Sequence, residues 1–208
     1  LHTAYRRQRQ MCIRDSPSIF HLYQQDNLDE HIAIIGIGRR DYNNEQFRDQ
    51  VKASIQTYVK DTDRIDEFMT HVFYHKTDVS DKESYQSLLQ FSERLDSEFA
   101  LGGNRLFYLA MAPQFFGVIS DYLKSSGLTQ TTGFKRLVIE KPFGSDLKSA
   151  ESLNNQIRRS FKEEEIYRID HYLGKDMVQN IEVLRFANAM FEPLWNNKYL
   201  SLIHISEP

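Results

Sequence analysis

The sequence has a single cysteine, Cys12, and no apolar run near the ~20 residues needed to span a bilayer. One cysteine cannot form an internal disulfide, so the fold does not depend on an oxidising compartment. The first residues, LHTAYRR, lack the apolar stretch of a secretory signal peptide. Together these absences argue against secreted disulfide-rich proteins and membrane proteins, and they predict a soluble protein of the cytoplasm.

Glycine and positive charge are also scarce. Nine glycines occur in 208 residues, which is below the usual ~7% and few for a complete nucleotide-binding enzyme. The net charge of −3 argues against nucleic acid as a partner, because such proteins normally present a basic face. The hydrophobic fraction of 40% and charged fraction of 26% are those of a globular chain with a sizeable core.

Short apolar runs alternate with helical patterns along the chain. The strand-like runs cover 32–35, 72–74, 106–111, 137–139 and 166–169, and amphipathic patterns lie before, between and after them. This alternation predicts an α/β fold with a doubly wound parallel sheet, which binds ligands beyond the carboxyl ends of its strands. The residues that follow each strand are therefore the candidates for a functional site.

The first of these segments is GIGRRD (36–41), which has two of the three glycines of a dinucleotide fingerprint. Arg39 and Arg40 suggest another role, since a guanidinium just past the second strand of such a sheet can hold the 2′-phosphate of NADP. A solvated arginine pair in a loop remains the alternative.

His71 and His75 have a metal-ligand spacing on a helix but lie in a predicted strand, where they would be ~13 Å apart. We therefore predict no metal site.

EKPFG (140–144) follows the strand at 137–139. A lysine at this position, held by the adjacent proline, can lie near a nicotinamide and a substrate hydroxyl. The alternative is a strand-to-helix turn with a surface lysine.

RIDHYLGK (168–175) places a carboxylate, an imidazole, a phenol and an ammonium where a strand meets a helix. His171 and Lys175 are both donors, and a bound phosphate would offset the cost of a lysine at the positive end of a helix dipole. A hydrogen-bonded helix cap is the alternative.

These motifs resemble the glucose-6-phosphate dehydrogenase family. RIDHYLGK is similar to its signature, and EKPFG matches in order and spacing, as do NRLFY (104–108), MVQN (177–180), LRF (184–186) and WN (195–196). The resemblance runs from about residue 17 to about residue 199. It implies a Rossmann-like domain, incomplete at its N-terminus, over 17–169, and the first helix of an α+β second domain over 170–199.

The resemblance also implies a role for individual residues. Lys141 is similar to the lysine that touches substrate and nicotinamide, and Asp170 to the carboxylate that pairs with the catalytic histidine. The residues similar to those that bind the 6-phosphate of the sugar are His171, Tyr172 and Lys175. Those similar to the residues of the cofactor cleft are Arg39 at the 2′-phosphate, Asp78, Val79 and Phe116. The resemblance implies NADP as the cofactor, with NAD as a second possibility.

The two ends depart from the family pattern. Residues 1–16 lack the glycine-rich loop of the family, and residues 200–208 do not resemble its second domain, so we expect both segments to be foreign to it. The parent enzyme is expected to be a homo-oligomer that oxidises glucose 6-phosphate at C1, whereas the chain alone is expected to be inactive. Another sugar oxidoreductase that uses NAD(P), or a non-catalytic phosphosugar-binding module, remains an alternative.

Overall fold

The computed structural model describes residues 15–198 except 29, 171 and 197. Of the segments expected to be foreign, only Asp15 and Ser16 lie within this range. Within it, no helix combines the length and apolar character needed to cross a membrane. The chain divides into two compact units, the first ending at Tyr167 and the second beginning at Arg168. The boundary expected from the sequence, between 169 and 170, lies two residues further on.

The order of elements confirms the predicted α/β fold. The described helices are α1 (Ser16–Gln24), α2 (Asn44–Tyr58), α3 (Ile65–Thr70), α4 (Ser84–Phe99), α5 (Phe116–Ser125), α6 (Leu147–Ile157) and α7 (Asp176–Phe186). The strands are β1 (Ile34–Gly38), β2 (Val72–Lys76), β3 (Arg105–Leu109), β4 (Lys135–Glu140) and β5 (Ile166–Ile169). Helix α3 is too short for a periodic pattern to reveal it, and it was not expected from the sequence.

Two sheets are formed by these strands. β1 pairs in parallel with β2, with Ile34 opposite Val72, and β3 pairs in parallel with β4, with Tyr108 opposite Val138. The second sheet has the order β3-β4-β5. Within the described residues, no strand joins the two sheets.

The β1–β2 sheet is covered on both faces. On one face, α1, α2 and α3 enclose a cluster that includes Phe20, Ile55, Phe68 and Val72. On the other, Phe73 meets two aromatic rings of α4, with centroids 5.5 and 6.4 Å away. Burial of such large side chains supplies the main stabilising free energy.

The second sheet packs α4, α5 and α6 against one face. Leu137 and Ile139 of β4 point into the resulting cluster with Phe116 of α5 and Ile157 of α6. Because side chains alternate along a strand, Leu106 and Tyr108 point to the opposite face. The described residues leave that face largely exposed, with Leu106 at 59%.

Candidate functional site

The carboxyl ends of β1 and β2 meet where the sequence predicts a phosphate-binding arginine. The Thr77 amide donates to the Gly38 carbonyl at 3.0 Å, which continues the pairing beyond the strands. The Tyr74 hydroxyl donates to the Arg40 carbonyl at 2.7 Å. A Cβ at position 38 would lie 3.0 Å from that hydroxyl, so glycine leaves room for the contact. Tyr74 thereby fixes the backbone that carries the arginine pair.

The two arginines differ in their surroundings. Arg40 donates to the Tyr42 hydroxyl at 2.6 Å and lies over its ring. Arg39 is exposed and makes no hydrogen bond or ion pair with another residue in the described part of the chain. A guanidinium without a protein partner can offer two parallel N–H donors to an anion. Of the pair, Arg39 is therefore the better candidate for a phosphate contact.

The loop after β2 is held by hydrogen bonds to its backbone. The Asp78 carboxylate accepts from the Ser80 amide at 2.9 Å. The Val79 carbonyl accepts from the hydroxyl of the buried Tyr85 at 3.2 Å. Burial raises the pKa of Tyr85, so this hydroxyl remains a donor at neutral and alkaline pH. Asp78 and Val79 thus lie in a fixed loop beside the carboxyl end of β2, and their contact with a cofactor stays a prediction.

Phe116 occupies a different environment from the other expected cleft residues. It begins α5 and is fully buried in the core cluster of the second sheet. In this position its ring supports the packing of α5 and has no surface to offer a ligand. Its expected place in a cofactor cleft stays a prediction.

The two histidines of the metal-like spacing have separate partners. His71 Nδ1 lies 3.0 Å from the Ile32 carbonyl oxygen, and His75 Nδ1 lies 2.7 Å from Thr77 Oγ1. Burial lowers the pKa of His75. Over the ranges that the structure describes, no group of three or more His, Cys, Asp or Glu side chains could hold a metal ion.

The EKPFG segment turns sharply after β4. The Lys141–Pro142 peptide is cis, and Phe143 packs against the core cluster. Gly144 has φ 131°, and a Cβ there would lie 2.6 Å from the Ala150 amide nitrogen of α6. Glycine is therefore required where the turn passes α6. Lys141 is exposed at the start of this turn.

Sequence reasoning missed a hydrogen-bonded pair, Tyr108 and Glu140. Glu140 directly precedes Lys141. The Tyr108 hydroxyl of β3 donates to Glu140 Oε1 at 2.6 Å. Burial, then the hydrogen bond to Glu140, then the charge of Asp15, raise the pKa of Tyr108. The run of apolar residues in β3 gives no sequence signal that Tyr108 points to the exposed face. Its partner, 32 positions along the chain, carries no local signal.

The second unit contains the other group of expected site residues. The Tyr172 amide donates to Asp170 Oδ1 at 3.1 Å, and the Lys175 ammonium lies 4.3 Å from the centre of the Tyr172 ring. Lys175 is the N-cap residue of α7 and makes no side-chain capping bond. Tyr172 and Lys175 therefore lie next to each other on the surface of this unit. His171 lies outside the described residues.

A groove of about 440 Å³ lies at the amino ends of β4 and β5, and none of the expected site residues lines it. Four of its charged side chains form two ion pairs, with Lys135 3.8 Å from Glu165 and Lys162 3.7 Å from Glu164. The guanidinium of Arg136 lies over the rings of Phe134 and Tyr167. Because parallel sheets bind ligands beyond the carboxyl ends of their strands, those ends are the better candidate site.

Residues 13–180 match the family model described as glucose-6-phosphate dehydrogenase, NAD binding domain. The chain is 55% identical over 190 residues to glucose-6-phosphate 1-dehydrogenase of Bacillus subtilis strain 168. It is 42% identical over 190 residues to the enzyme of that name from Leuconostoc mesenteroides. These matches cover 91% of the chain and 38% and 39% of the two relatives. The chain therefore spans well under half the length of the curated relatives it matches.

Two solved structures are similar over 91% of the chain. One is glucose-6-phosphate dehydrogenase in complex with its substrate glucose 6-phosphate, at a TM-score of 0.81 and 35% identity. The other is glucose-6-phosphate 1-dehydrogenase from Mycobacterium avium, at 0.72 and 30%. The matched part is 40% of each of those chains.

Proposed function

Since this chain belongs to the glucose-6-phosphate dehydrogenase family, through its NAD-binding domain, we propose that it is the cofactor-binding part of an enzyme that oxidises glucose 6-phosphate at C1 to the lactone, with NADP as the hydride acceptor. The observation that carries this proposal is the position of Lys141. This lysine is exposed at the carboxyl end of a parallel strand, which is where sheets of this kind bind their ligands.

The residues around the strand ends fit a nicotinamide dinucleotide with a 2′-phosphate. Arg39, beyond β1, has a guanidinium without a partner in the described part of the chain and would hold the 2′-phosphate. Asp78 and Val79 border the same end of the first sheet. The bound nicotinamide would supply the acceptor for the hydride from C1. Arg39 favours NADP over NAD in this proposal, because NAD has no phosphate at this position.

Substrate binding would divide between two groups of residues. The Lys141 ammonium would donate to a sugar hydroxyl near the reacting carbon. Lys175, Tyr172 and His171 would bind the 6-phosphate, which does not react. Binding energy from that remote phosphate can hold C1 in the reactive orientation.

Asp170 would act through the catalytic histidine that the family resemblance implies. Its carboxylate would accept the ring N–H of that histidine and stabilise the imidazolium that forms when the C1 hydroxyl proton is removed. In the structure the same carboxylate accepts from the Tyr172 amide. A carboxylate has two oxygens and can accept more than one hydrogen bond.

The cellular setting is part of the proposal. A single cysteine and a small net charge support a soluble enzyme of the cytoplasm that binds neither membranes nor nucleic acid. The family resemblance supports a homo-oligomer. Sedimentation of an active enzyme that contains this chain tests the oligomeric state.

A grafted enzyme tests the activity. In the Bacillus subtilis relative, residues 15–198 of this chain replace the matching segment. We expect the grafted enzyme to reduce NADP with glucose 6-phosphate, with the unaltered relative as the positive control. A folded grafted enzyme that fails to reduce NADP would contradict the proposal.

The grafted enzyme also separates the alternatives. A different sugar oxidoreductase would reduce the cofactor with other sugars at least as fast as with glucose 6-phosphate. A phosphosugar-binding module would bind glucose 6-phosphate in a calorimetric titration without reducing NADP. The 208-residue chain, titrated separately with glucose 6-phosphate and with NADP, shows which ligand its own residues bind.

A further inference from the structure

The hydrogen bond between Tyr108 and Glu140 crosses from one strand to the end of the next. Tyr108 lies opposite Val138 in the parallel ladder, and Glu140 is two residues further along β4, on the same face. The hydroxyl of Tyr108 reaches this carboxylate at 2.6 Å. A phenol that donates to a carboxylate at this distance forms a charge-assisted bond, which is stronger than a neutral one.

The protonated form of Tyr108 is favoured at neutral pH. Its pKa is raised, first by partial burial of the hydroxyl and then by the hydrogen bond to Glu140. The phenol therefore keeps its proton and remains the donor at neutral and moderately alkaline pH.

Glu140 directly precedes Lys141, and the residues after Lys141 are anchored as well. Phe143 packs against the core cluster, and Gly144 passes close to the backbone of α6. The backbone of Lys141 is thus fixed on one side by Tyr108 through Glu140 and on the other by Phe143. Lys141 itself is exposed at the start of the turn.

We propose that Tyr108 and Glu140 are positioning residues for Lys141: their hydrogen bond fixes the end of β4, so that the lysine ammonium meets the substrate and the nicotinamide in the reactive arrangement. Neither residue touches the reacting atoms in this proposal. The inference rests on the proposed function of Lys141. Displacement of a reacting or orienting group by ~1 Å can lower a rate ~100-fold, so the loss of one anchor is expected to be measurable.

A double-mutant cycle in the grafted enzyme tests whether the pair acts through Lys141. Tyr108→Phe removes only the hydroxyl, and we expect it to lower kcat roughly 10–100-fold with little change in Tm or in the KM for glucose 6-phosphate. In a Lys141→Ala background the same substitution is expected to change kcat by less than about twofold. Equal losses in both backgrounds would show a merely structural role and overturn the proposal.

Two further variants sharpen the cycle. Glu140→Gln keeps an oxygen that can accept from Tyr108, so its kcat is expected to lie between those of the unsubstituted enzyme and Glu140→Ala. Tyr167→Phe is the matched control, since it removes a phenolic hydroxyl from β5 on a ring that Arg136 contacts. A loss with Tyr167→Phe equal to that with Tyr108→Phe would also contradict the proposal.

A spectroscopic measurement on the full 208-residue chain does not depend on activity. Lysines are labelled with ¹³C-methyl groups, and the Lys141 signal is assigned from Lys141→Arg. We expect Tyr108→Phe and Glu140→Ala to shift this signal and Tyr167→Phe to leave it in place. An unmoved Lys141 signal in both variants overturns the positioning role. Absence of activity in the unsubstituted grafted enzyme would count against the proposed function alone.

Discussion

Arg39 and Arg40 are neighbours in the sequence but have different partners. Arg40 is bound to Tyr42, whereas Arg39 has no partner in the described part of the chain. The sequence places both after an apolar strand and predicts that one of them contacts a phosphate. The family resemblance assigns the phosphate to Arg39, and the structure adds a physical difference between the two, because the position of Tyr42 relative to each guanidinium depends on how the loop folds.

Arg39→Ala in the grafted enzyme is expected to raise the KM for NADP far more than that for NAD. Loss of a hydrogen bond between charged groups costs about 1.5–3 kcal/mol, which is roughly a 10–100-fold change. Steady-state kinetics with both cofactors measure the difference. Arg40→Ala is the control and should have a smaller effect on NADP selectivity. Equal effects of Arg39→Ala on both cofactors would contradict the assignment.

Lys175→Ala is expected to weaken binding of glucose 6-phosphate and to leave activity on unphosphorylated glucose nearly unchanged. Its ammonium lies beside Tyr172 at the start of α7, and loss of a charged hydrogen bond again predicts a 10–100-fold higher KM. Kinetics with the two sugars test this, with Lys148→Ala on α6 as a control. A similar loss on both sugars would place Lys175 at the chemistry instead.

At the scale of single elements, local signals in the sequence predicted most helices. Asparagine is a favoured N-cap residue, so Asn43 and Asn44 are both candidate caps of α2 by residue type. The Asn43 side chain forms the cap: it accepts from the Gln46 amide at 2.8 Å, and Gln46 returns the bond. The Asn44 side chain accepts instead from the Tyr74 amide. That choice depends on β2, which is distant in the sequence. Local chemistry predicts a cap, and tertiary contacts decide which of two asparagines provides it.

The turn after β4 depends on Gly144. Its positive φ disfavours any side chain, and a Cβ would also meet the backbone of Ala150. Gly144→Ala is expected to lower the free energy of unfolding by about 1–3 kcal/mol, measured by urea denaturation. Gly127→Ala is the matched control, because its φ is 91° but only a Leu89 methyl lies nearby, at 3.5 Å. A larger loss at Gly127 would contradict the steric argument.

The ion pair between Arg64 and Glu67 at the start of α3 is expected to make the stability of the fold depend on pH. Hydrogen bonds from Arg64 lower the pKa of Glu67 from 4.5 to about 2. Because the folded pKa is below the unfolded one, the ionised Glu67 stabilises the fold above about pH 4.5, and this stabilisation is lost as the pH falls towards 2. Glu67→Gln should lower stability at pH 7 and reduce its decrease between pH 7 and pH 3.5.

Urea denaturation at the two pH values measures this decrease. Glu151→Gln provides the control, since Glu151 is an exposed carboxylate of α6 without an ion pair in the described part of the chain. It should leave the pH dependence unchanged. An unchanged pH dependence in Glu67→Gln would show that the Arg64 contact does not persist in solution.

For the whole molecule, the sequence predicted a parallel sheet covered on both faces, and the structure shows this for β1 and β2. The exposed face of β3 and β4 was not predicted. Leu106 and Tyr108 belong to an apolar run that predicts a buried strand. A run that is apolar at every position does not reveal which of its faces is covered. The coverage depends on where helices from distant parts of the chain pack.

That exposed face is expected to affect solubility. Leu106→Lys should raise the protein concentration at which the 208-residue chain begins to self-associate, because it interrupts an apolar patch without emptying the core. Sedimentation velocity across a concentration series measures the change. Val118→Lys on α5 replaces an apolar side chain that is also exposed and should have less effect. Equal effects would show that the face is not the contact surface.

The division of the strands between two sheets also has a kinetic consequence. Each sheet pairs strands that follow one another along the chain, β1 with β2 and β3 with β4. Loop closure within each half therefore spans a shorter stretch of chain than closure between the halves, so each half can form before they dock. Since no ladder joins the sheets within the described residues, one half can open while the other remains protected from amide hydrogen exchange.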